Sequence, residues 1–246
     1  MKTNKTLIYL ADLTHTGPVI SSNFFPLAVG LLGSELLREM PDLVDVEIFK
    51  YPHDFSEAVA RKMPKIVGFS NYSWNCNLAY EYAKQIKEAS PETIILFGGP
   101  NYGSVQDEMT WFWKRYSLID FYIVKEGEVA IVNLVRALHE VDYDPIRLKK
   151  TRAPLGNCHY WWKDELIMGK ALPRIKSLEE LPSPYLTGLM DKFFDGVLTP
   201  LIHTTRGCPF SCTFCTEGAK YYSKVAQRVS LEDELRYIAE RVGGRT

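Results

Sequence analysis

From Leu7 to His139 the chain alternates between short apolar runs and longer stretches with apolar residues at three- and four-residue spacing. Leu7–Ala11, Val44–Phe49, Lys65–Ser70, Thr93–Phe97 and Ile119–Val124 predict five strands. In the second of them Val44, Val46 and Ile48 alternate with Asp45 and Glu47. The intervening stretches predict helices over Phe25–Met40, Phe55–Met63, Trp74–Ala89, Glu108–Arg115 and Val129–His139; the first carries Leu27, Leu31, Leu32, Leu36 and Leu37 on one face. Strands that alternate with helices predict an α/β fold, a Rossmann-like doubly wound parallel sheet covered on both faces. Such sheets take ligands beyond the carboxyl ends of their strands. Asp12–Gly17, Ser70 and Asn71, Gly98 and Gly99, and Lys125-Glu126-Gly127-Glu128 all fall there. A glycine pair after a strand also serves any tight turn, so ordinary turns remain an alternative for that position.

After Val141 the pattern changes. Polar and aromatic residues mix in Asn157-Cys158-His159-Tyr160-Trp161-Trp162, with a hairpin expected around Lys163-Asp164. Leu198–Thr204 predicts a strand. Leu231, Leu235, Ile238 and Val242 predict one apolar helix face, with a capping box at Ser230 and a stop at Gly243-Gly244. Trp111-Phe112-Trp113 reads as core or interface packing. Glu217, Lys220 and Arg228 read as solvated loop charges.

Composition narrows the picture further. The 246 residues suffice for one large or two modest domains, and 46% hydrophobic with 24% charged residues is ordinary for a globular chain with a real core. A net charge of −1 gives no bulk electrostatic case for nucleic acid or an anionic membrane. No apolar run approaches the ~20 residues of a membrane span. Met1-Lys2-Thr3-Asn4-Lys5 leads straight into a strand-like run and has no secretory-leader pattern, so a cytoplasmic, reducing setting is expected.

Three of the five cysteines fall within one short stretch, as Cys208-x3-Cys212-x2-Cys215. One loop must point these thiols toward a common centre. Three converging thiolates can hold three irons of a [4Fe-4S] cluster, and with no fourth cysteine nearby the fourth iron stays open to a ligand. The alternatives are a zinc site or a disulfide. Structural zinc takes four ligands, often from two Cys-x2-Cys knuckles, and one knuckle is present here. His203 as a fourth ligand falls in the strand before the loop. A disulfide framework suits a short secreted chain, against which stands the odd cysteine count. Cys76 and Cys158 read as buried or idle thiols.

With Arg206-Gly207 before the cysteines and Cys208-Pro209-Phe210 opening them, Thr204–Gly218 resembles the radical S-adenosylmethionine superfamily. The resemblance implies that Cys208, Cys212 and Cys215 ligate the cluster and that the open iron binds S-adenosyl-L-methionine through its amino and carboxylate groups. It also implies that the reduced cluster cleaves the cofactor to a 5′-deoxyadenosyl radical and that Phe214 packs beside the adenine. Residues 5–140 resemble the cobalamin-binding domain found ahead of the radical core in many such enzymes. That resemblance implies a corrin site lined by Ser70, Asn71, Gly98, Gly99 and Glu126. Gly98-Gly99 would let the backbone approach the buried nucleotide tail, and Lys125-Glu126-Gly127-Glu128 stands where the family has Gly-Glu-Gly-Glu. Proteins that ligate cobalt through histidine carry Asp-x-His-x-x-Gly after the first strand; here Asp12-Leu13-Thr14-His15-Thr16-Gly17 displaces the histidine by one. His15 is therefore expected to be a surface residue and the cobalamin to lack a histidine ligand from this motif.

Taken together these resemblances imply a cobalamin-binding Rossmann-like domain over 1–142 and a linker over 143–194. The first β/α unit of a radical-core (β/α) barrel follows over 195–246, with the remaining β/α units expected outside this sequence. The activity implied is methyl transfer to an unactivated carbon or phosphorus. Radical rearrangement, oxidation or cyclisation without methyl transfer is the first alternative, and a cobalamin- or cluster-binding module without turnover the second. The partners implied are a small-molecule or natural-product-type substrate and a reducing protein such as flavodoxin or ferredoxin, with no nucleic acid and no membrane.

Overall fold

The computed structural model describes residues 5–17 and 22–242. Met1–Asn4, at the start read as no leader, and Gly243-Gly244, read as the last helix stop, lie outside them. Five parallel strands come first: β1 (Thr6–Ala11), β2 (Val44–Phe49), β3 (Ile66–Ser70), β4 (Ile94–Gly98) and β5 (Phe121–Ile123). They alternate with α1 (Leu27–Glu39), α2 (Pro52–Arg61), α3 (Cys76–Ala89), α4 (Gln106–Arg115) and α5 (Glu128–His139). A short helix α6 (Pro145–Lys150) leads to a hairpin, β6 (Cys158–Trp162) and β7 (Glu165–Met168), which joins the same sheet antiparallel to β5. The chain reverses at Lys163 and Asp164, both at positive φ (47° and 62°), the backbone that a two-residue primed turn requires.

The sheet order is β2-β1-β3-β4-β5-β6-β7. Connections reverse direction between β1 and β3, which opens a crevice beyond their carboxyl ends. Burial explains the strand sequences. β1, β3 and β4 are covered on both faces and almost wholly apolar, whereas β2 lies at the edge and alternates Val44, Val46 and Ile48 with Asp45 and Glu47. Helices α1 and α5 pack together on one side. On the other, Phe55 of α2 meets Tyr82 of α3 edge-on, and Tyr80 meets Tyr116 beyond α4.

Residues 170–198 pack firmly on this unit: Leu178, Leu181, Tyr185, Met190, Phe193 and Leu198 are all buried. Phe25 sits among Tyr185, Phe193 and Phe194 at centroid distances of 5.9, 5.9 and 5.0 Å. The strand expected over Leu198–Thr204 is replaced by an irregular run with one bridge, Phe24 to Thr199. Strand geometry begins at β8 (Thr205–Arg206), which pairs antiparallel with β9 (Ala226–Gln227) and encloses the cysteine loop; α7 (Glu232–Val242) follows. Among the described residues no helix is long and apolar enough to cross a membrane.

Candidate functional site

The crevice between β1 and β3 is organised by a buried polar network. Lys50, directly after β2, is 1% exposed and donates to Asp12 Oδ2 at 2.9 Å and to Ser22 Oγ at 3.3 Å. Burying an ammonium demands such a partner. Ser70 donates to the other Asp12 oxygen, and Asn75 Nδ2 donates to Ser70 Oγ (3.1 Å) and to the Leu13 carbonyl (3.2 Å). Ser70 thus ties β3 to β1. Beside it, Tyr72 and Trp74 stack at 4.5 Å with their rings 8° from parallel, and Trp74 is half-exposed. His15 is exposed, with Nε2 2.8 Å from the Trp74 carbonyl oxygen.

Asn71 is fully buried and joins the ends of β3, β4 and β5. Its N–H donates to Gly98 O (2.6 Å) and its Nδ2 to Asn101 O (2.8 Å) and Tyr122 Oη (3.0 Å); Tyr122 in turn donates to Gly99 O (2.8 Å). Gly99 has φ +126°, and a Cβ there would lie 2.7 Å from Asn71 O. Only glycine fits both that backbone and that approach. Ser70, Asn71, Gly98 and Gly99 are therefore brought together at one edge, where they hold its shape.

Glu126 and Glu128 follow β5 and face a different neighbour. Both carboxylate oxygens of Glu126 are engaged: Arg174 Nε and Nη2 donate to Oε1 (3.1 and 3.0 Å), and the Ile175 N–H donates to Oε2 (2.9 Å). Arg206 Nη2 donates to Glu128 Oε1 (2.8 Å). Burial works against the Arg206 charge, yet Glu128, with Glu126 further off, holds its pKa above the usual range. His203 is pushed down, first by burial and then by Arg206.

The cysteine loop stands on this base. Cys208 is half-buried and Cys212 and Cys215 are exposed; all three are free thiols. The Cys208 N–H donates to Tyr222 O (2.9 Å) and closes the loop, while Cys215 N–H donates to Cys212 O (3.2 Å). Phe214 is 92% exposed. Among the described residues no three His, Cys, Asp or Glu side chains converge closely enough to hold one metal ion. The loop carries a soft three-thiol donor set of the kind that takes zinc, Cu(I) or an iron–sulfur cluster, without converged geometry.

Lys50, Asn75, Tyr122 and Arg174 are organising residues that the sequence pattern does not mark. Each has at least one partner distant along the chain, as Asn75 has in Leu13. Arg228 departs from its reading as a solvated charge. Its side chain is only 8% exposed, donating to Glu234 (2.6 Å) and to the carbonyls of Leu178 and Leu181 (both 2.7 Å from Nη2). Cys76 and Cys158 are buried, and burial pushes both thiols up. Phe112 and Trp113 are core residues, whereas Trp111 is exposed.

Residues 20–135 match the family model of the B12 binding domain. The chain is 29% identical over 232 residues to 2-(S-pantetheinyl)-carbapenam-3-carboxylate methyltransferase of Streptantibioticus cattleyicolor, covering 88% of this chain and 32% of that protein. It is 28% identical over 242 residues to the cobalamin-dependent radical SAM methyltransferase TokK of Streptomyces tokunonensis, with the same two coverages. The chain thus spans about a third of the length of these curated relatives. In fold it is similar to the cobalamin-dependent S-adenosylmethionine radical enzyme OxsB solved with aqua-cobalamin and S-adenosylmethionine bound. There the TM-score is 0.70 at 22% identity, over 98% of this chain and 32% of that one. Over residues 20–135 the chain is thus similar to the B12 binding domain, and over most of its length to two curated methyltransferases, one of them named a cobalamin-dependent radical SAM methyltransferase.

Proposed function

We propose that this chain is the cobalamin- and cluster-bearing part of a radical S-adenosylmethionine methyltransferase. The observation that carries the reading is a juxtaposition. A three-cysteine loop stands on two buried ion pairs at the turn that ends the parallel sheet of a B12 binding domain. In this reading Cys208, Cys212 and Cys215 hold a [4Fe-4S] cluster, and their thiols turn inward when iron binds. The exposed ring of Phe214 offers a face for the adenine of S-adenosyl-L-methionine. Ser70, Asn71, Gly98 and Gly99 keep the sheet edge open for the corrin, and the stacked pair Tyr72–Trp74 gives it an apolar wall. Glu126 serves the junction, because both its oxygens are committed to Arg174 and Ile175. When bound, cobalamin supplies a methyl carrier and the cluster supplies the electron that cleaves S-adenosyl-L-methionine.

The domain boundaries that accompany this reading are 1–142 for cobalamin, 143–194 for the connection and 195–246 for the start of the radical core. A cytoplasmic setting, a small-molecule substrate and a reducing protein of the flavodoxin or ferredoxin class complete the proposal.

Reconstitution with iron, sulfide and cobalamin in the absence of oxygen tests it. The expected result is cobalt and cluster iron in the same chain, with Cys208→Ser, Cys212→Ser and Cys215→Ser each losing the cluster absorbance while retaining cobalt. Preferential uptake of zinc, or a cluster indifferent to all three substitutions, would overturn the reading. In the full-length protein, a labelled methyl group carried from S-adenosylmethionine into product separates methyl transfer from other radical chemistry.

A further inference from the structure

The cysteine loop is held at both ends by one side chain. Arg174 Nη2 donates to the carbonyl of Arg206, two residues before the first cysteine, at 3.2 Å. Its Nη1 donates to the carbonyls of Lys224 and Tyr221 (3.5 Å for the latter), beyond the last cysteine. The same guanidinium is forked onto Glu126 of the B12 binding domain, and both side chains are nearly buried. The Tyr221 and Tyr222 rings pack over it at 5.5 and 5.7 Å. Gly207 shows how tight this mouth is. Its φ is +110°, and a Cβ would fall 2.7 Å from Lys224 O, 2.8 Å from Tyr222 O and 2.8 Å from Arg174 Nη1.

A guanidinium has five donors in a planar fork, which an ammonium cannot reproduce. Five donors suffice for one carboxylate and three carbonyls at once. We propose that Arg174 is the positioning residue of the cysteine loop. It staples the two ends of the loop together and fixes them, through Glu126, to the turn after β5, on the same carboxyl-terminal side of the sheet as the β1–β3 crevice. The loop mouth is then set before any iron enters, so that only the thiols themselves have to turn inward. The companion pair Arg206–Glu128 anchors one side of the mouth only, so of the two arginines Arg174 alone reaches both sides, adding to the β8–β9 pairing and the Cys208 N–H to Tyr222 O bond.

This inference rests on the cysteines being cluster ligands, and the experiment separates the two claims. Arg174→Gln, Arg174→Lys and Glu126→Gln are compared with the unaltered chain in two measurements. The first is hydrogen exchange of residues 205–224 in the metal-free protein, with β1, β3 and β4 as internal reference. The second is iron and sulfide per chain after anaerobic reconstitution, with the electron paramagnetic resonance spectrum of the reduced cluster. Arg174→Gln is expected to speed exchange of 205–224 by about tenfold or more, since three carbonyls and a buried carboxylate lose their donor. It should also lower cluster iron severalfold and broaden the spectrum of what remains. Arg174→Lys keeps the charge and loses the fork, so it should fall between. Normal exchange and normal iron in Arg174→Gln would overturn the proposal. So would unaltered behaviour of Arg174→Lys should the Gln variant lose protection throughout the sheet. An unaltered chain that takes no cluster would refute the ligand reading instead, and the exchange comparison would still decide whether Arg174 holds the loop.

Discussion

At the scale of single residues, glycine carries two different messages. Gly98-Gly99 is visible in the sequence as a turn after a strand, and the B12 resemblance suggests room for a ligand. The structure adds an internal demand: the Asn71 backbone occupies the space a Gly99 side chain would need, at φ +126°. Gly99→Ala combines a backbone conformation costly to any L-residue with a contact to backbone that cannot yield. A loss of about 2–4 kcal/mol is expected, read as a lower urea midpoint at unchanged m-value. A change under about 0.5 kcal/mol would mean that the turn relaxes freely. Asn71 itself shows why the partner was not legible. Ser70-Asn71 is marked only as polar residues after a strand, and nothing local announces that Asn71 reaches Asn101, Gly98 and Tyr122.

Among the elements, the five parallel strands and their helices were legible because burial on both faces leaves near-continuous apolar runs in the central strands, and the half-covered edge strand β2 alternates instead. β6 was not. Cys158-His159-Tyr160-Trp161-Trp162 has no clear alternation, and its membership of the sheet depends on pairing with β5, far back along the chain. That placement has a measurable result. His159 is carried into a partly buried position with Nδ1 3.2 Å from Tyr102 Oη. Burial first, and Lys125 second, push its pKa down to about 4. Unfolded, the same ring titrates near about 6.5. Between those values the unfolded chain takes up a proton that the folded one refuses. Stability is therefore complete above about pH 6.5 and declines as pH falls toward about 4, by about 2 kcal/mol after allowance for solvent screening. His159→Gln should flatten that part of the stability–pH curve in denaturant titrations. An unchanged slope would show that His159 protonates in place.

For the molecule as a whole, the decisive contrast lies between the sheet and the C-terminal segment that carries the cysteines. Residues from Leu7 to Leu198 contribute nearly all the buried apolar side chains, whereas within 199–242 Ala226 alone is a buried hydrophobic residue. The cysteine motif was legible at once because three thiols in so short a span have few uses. The strand expected before it was not realised, because a strand needs a neighbour. The run 198–204 has no paired ladder: it is held by the bridge to Phe24, one tyrosine, and single bonds at its ends, Leu198 N–H to Asp195 Oδ1 (3.0 Å) and Arg228 N–H to Thr204 O (2.9 Å). Tyr185 Oη donates to Leu201 O at 2.8 Å and accepts from the Leu201 N–H at 3.0 Å, so a single hydroxyl replaces a ladder. Its ring stays buried against Phe25 in either case. Tyr185→Phe should therefore leave global stability within about 1 kcal/mol and act locally instead. Both Leu201 backbone groups lose their partner, worth about 1–1.5 kcal/mol, which corresponds to about tenfold faster exchange of the Leu201 amide. Exchange in β1, β3 and β4 should not move. Equal acceleration in those strands would mean that the hydroxyl supports the whole fold, and an unchanged Leu201 amide would mean that the approach to the cysteine loop is held by something other than Tyr185.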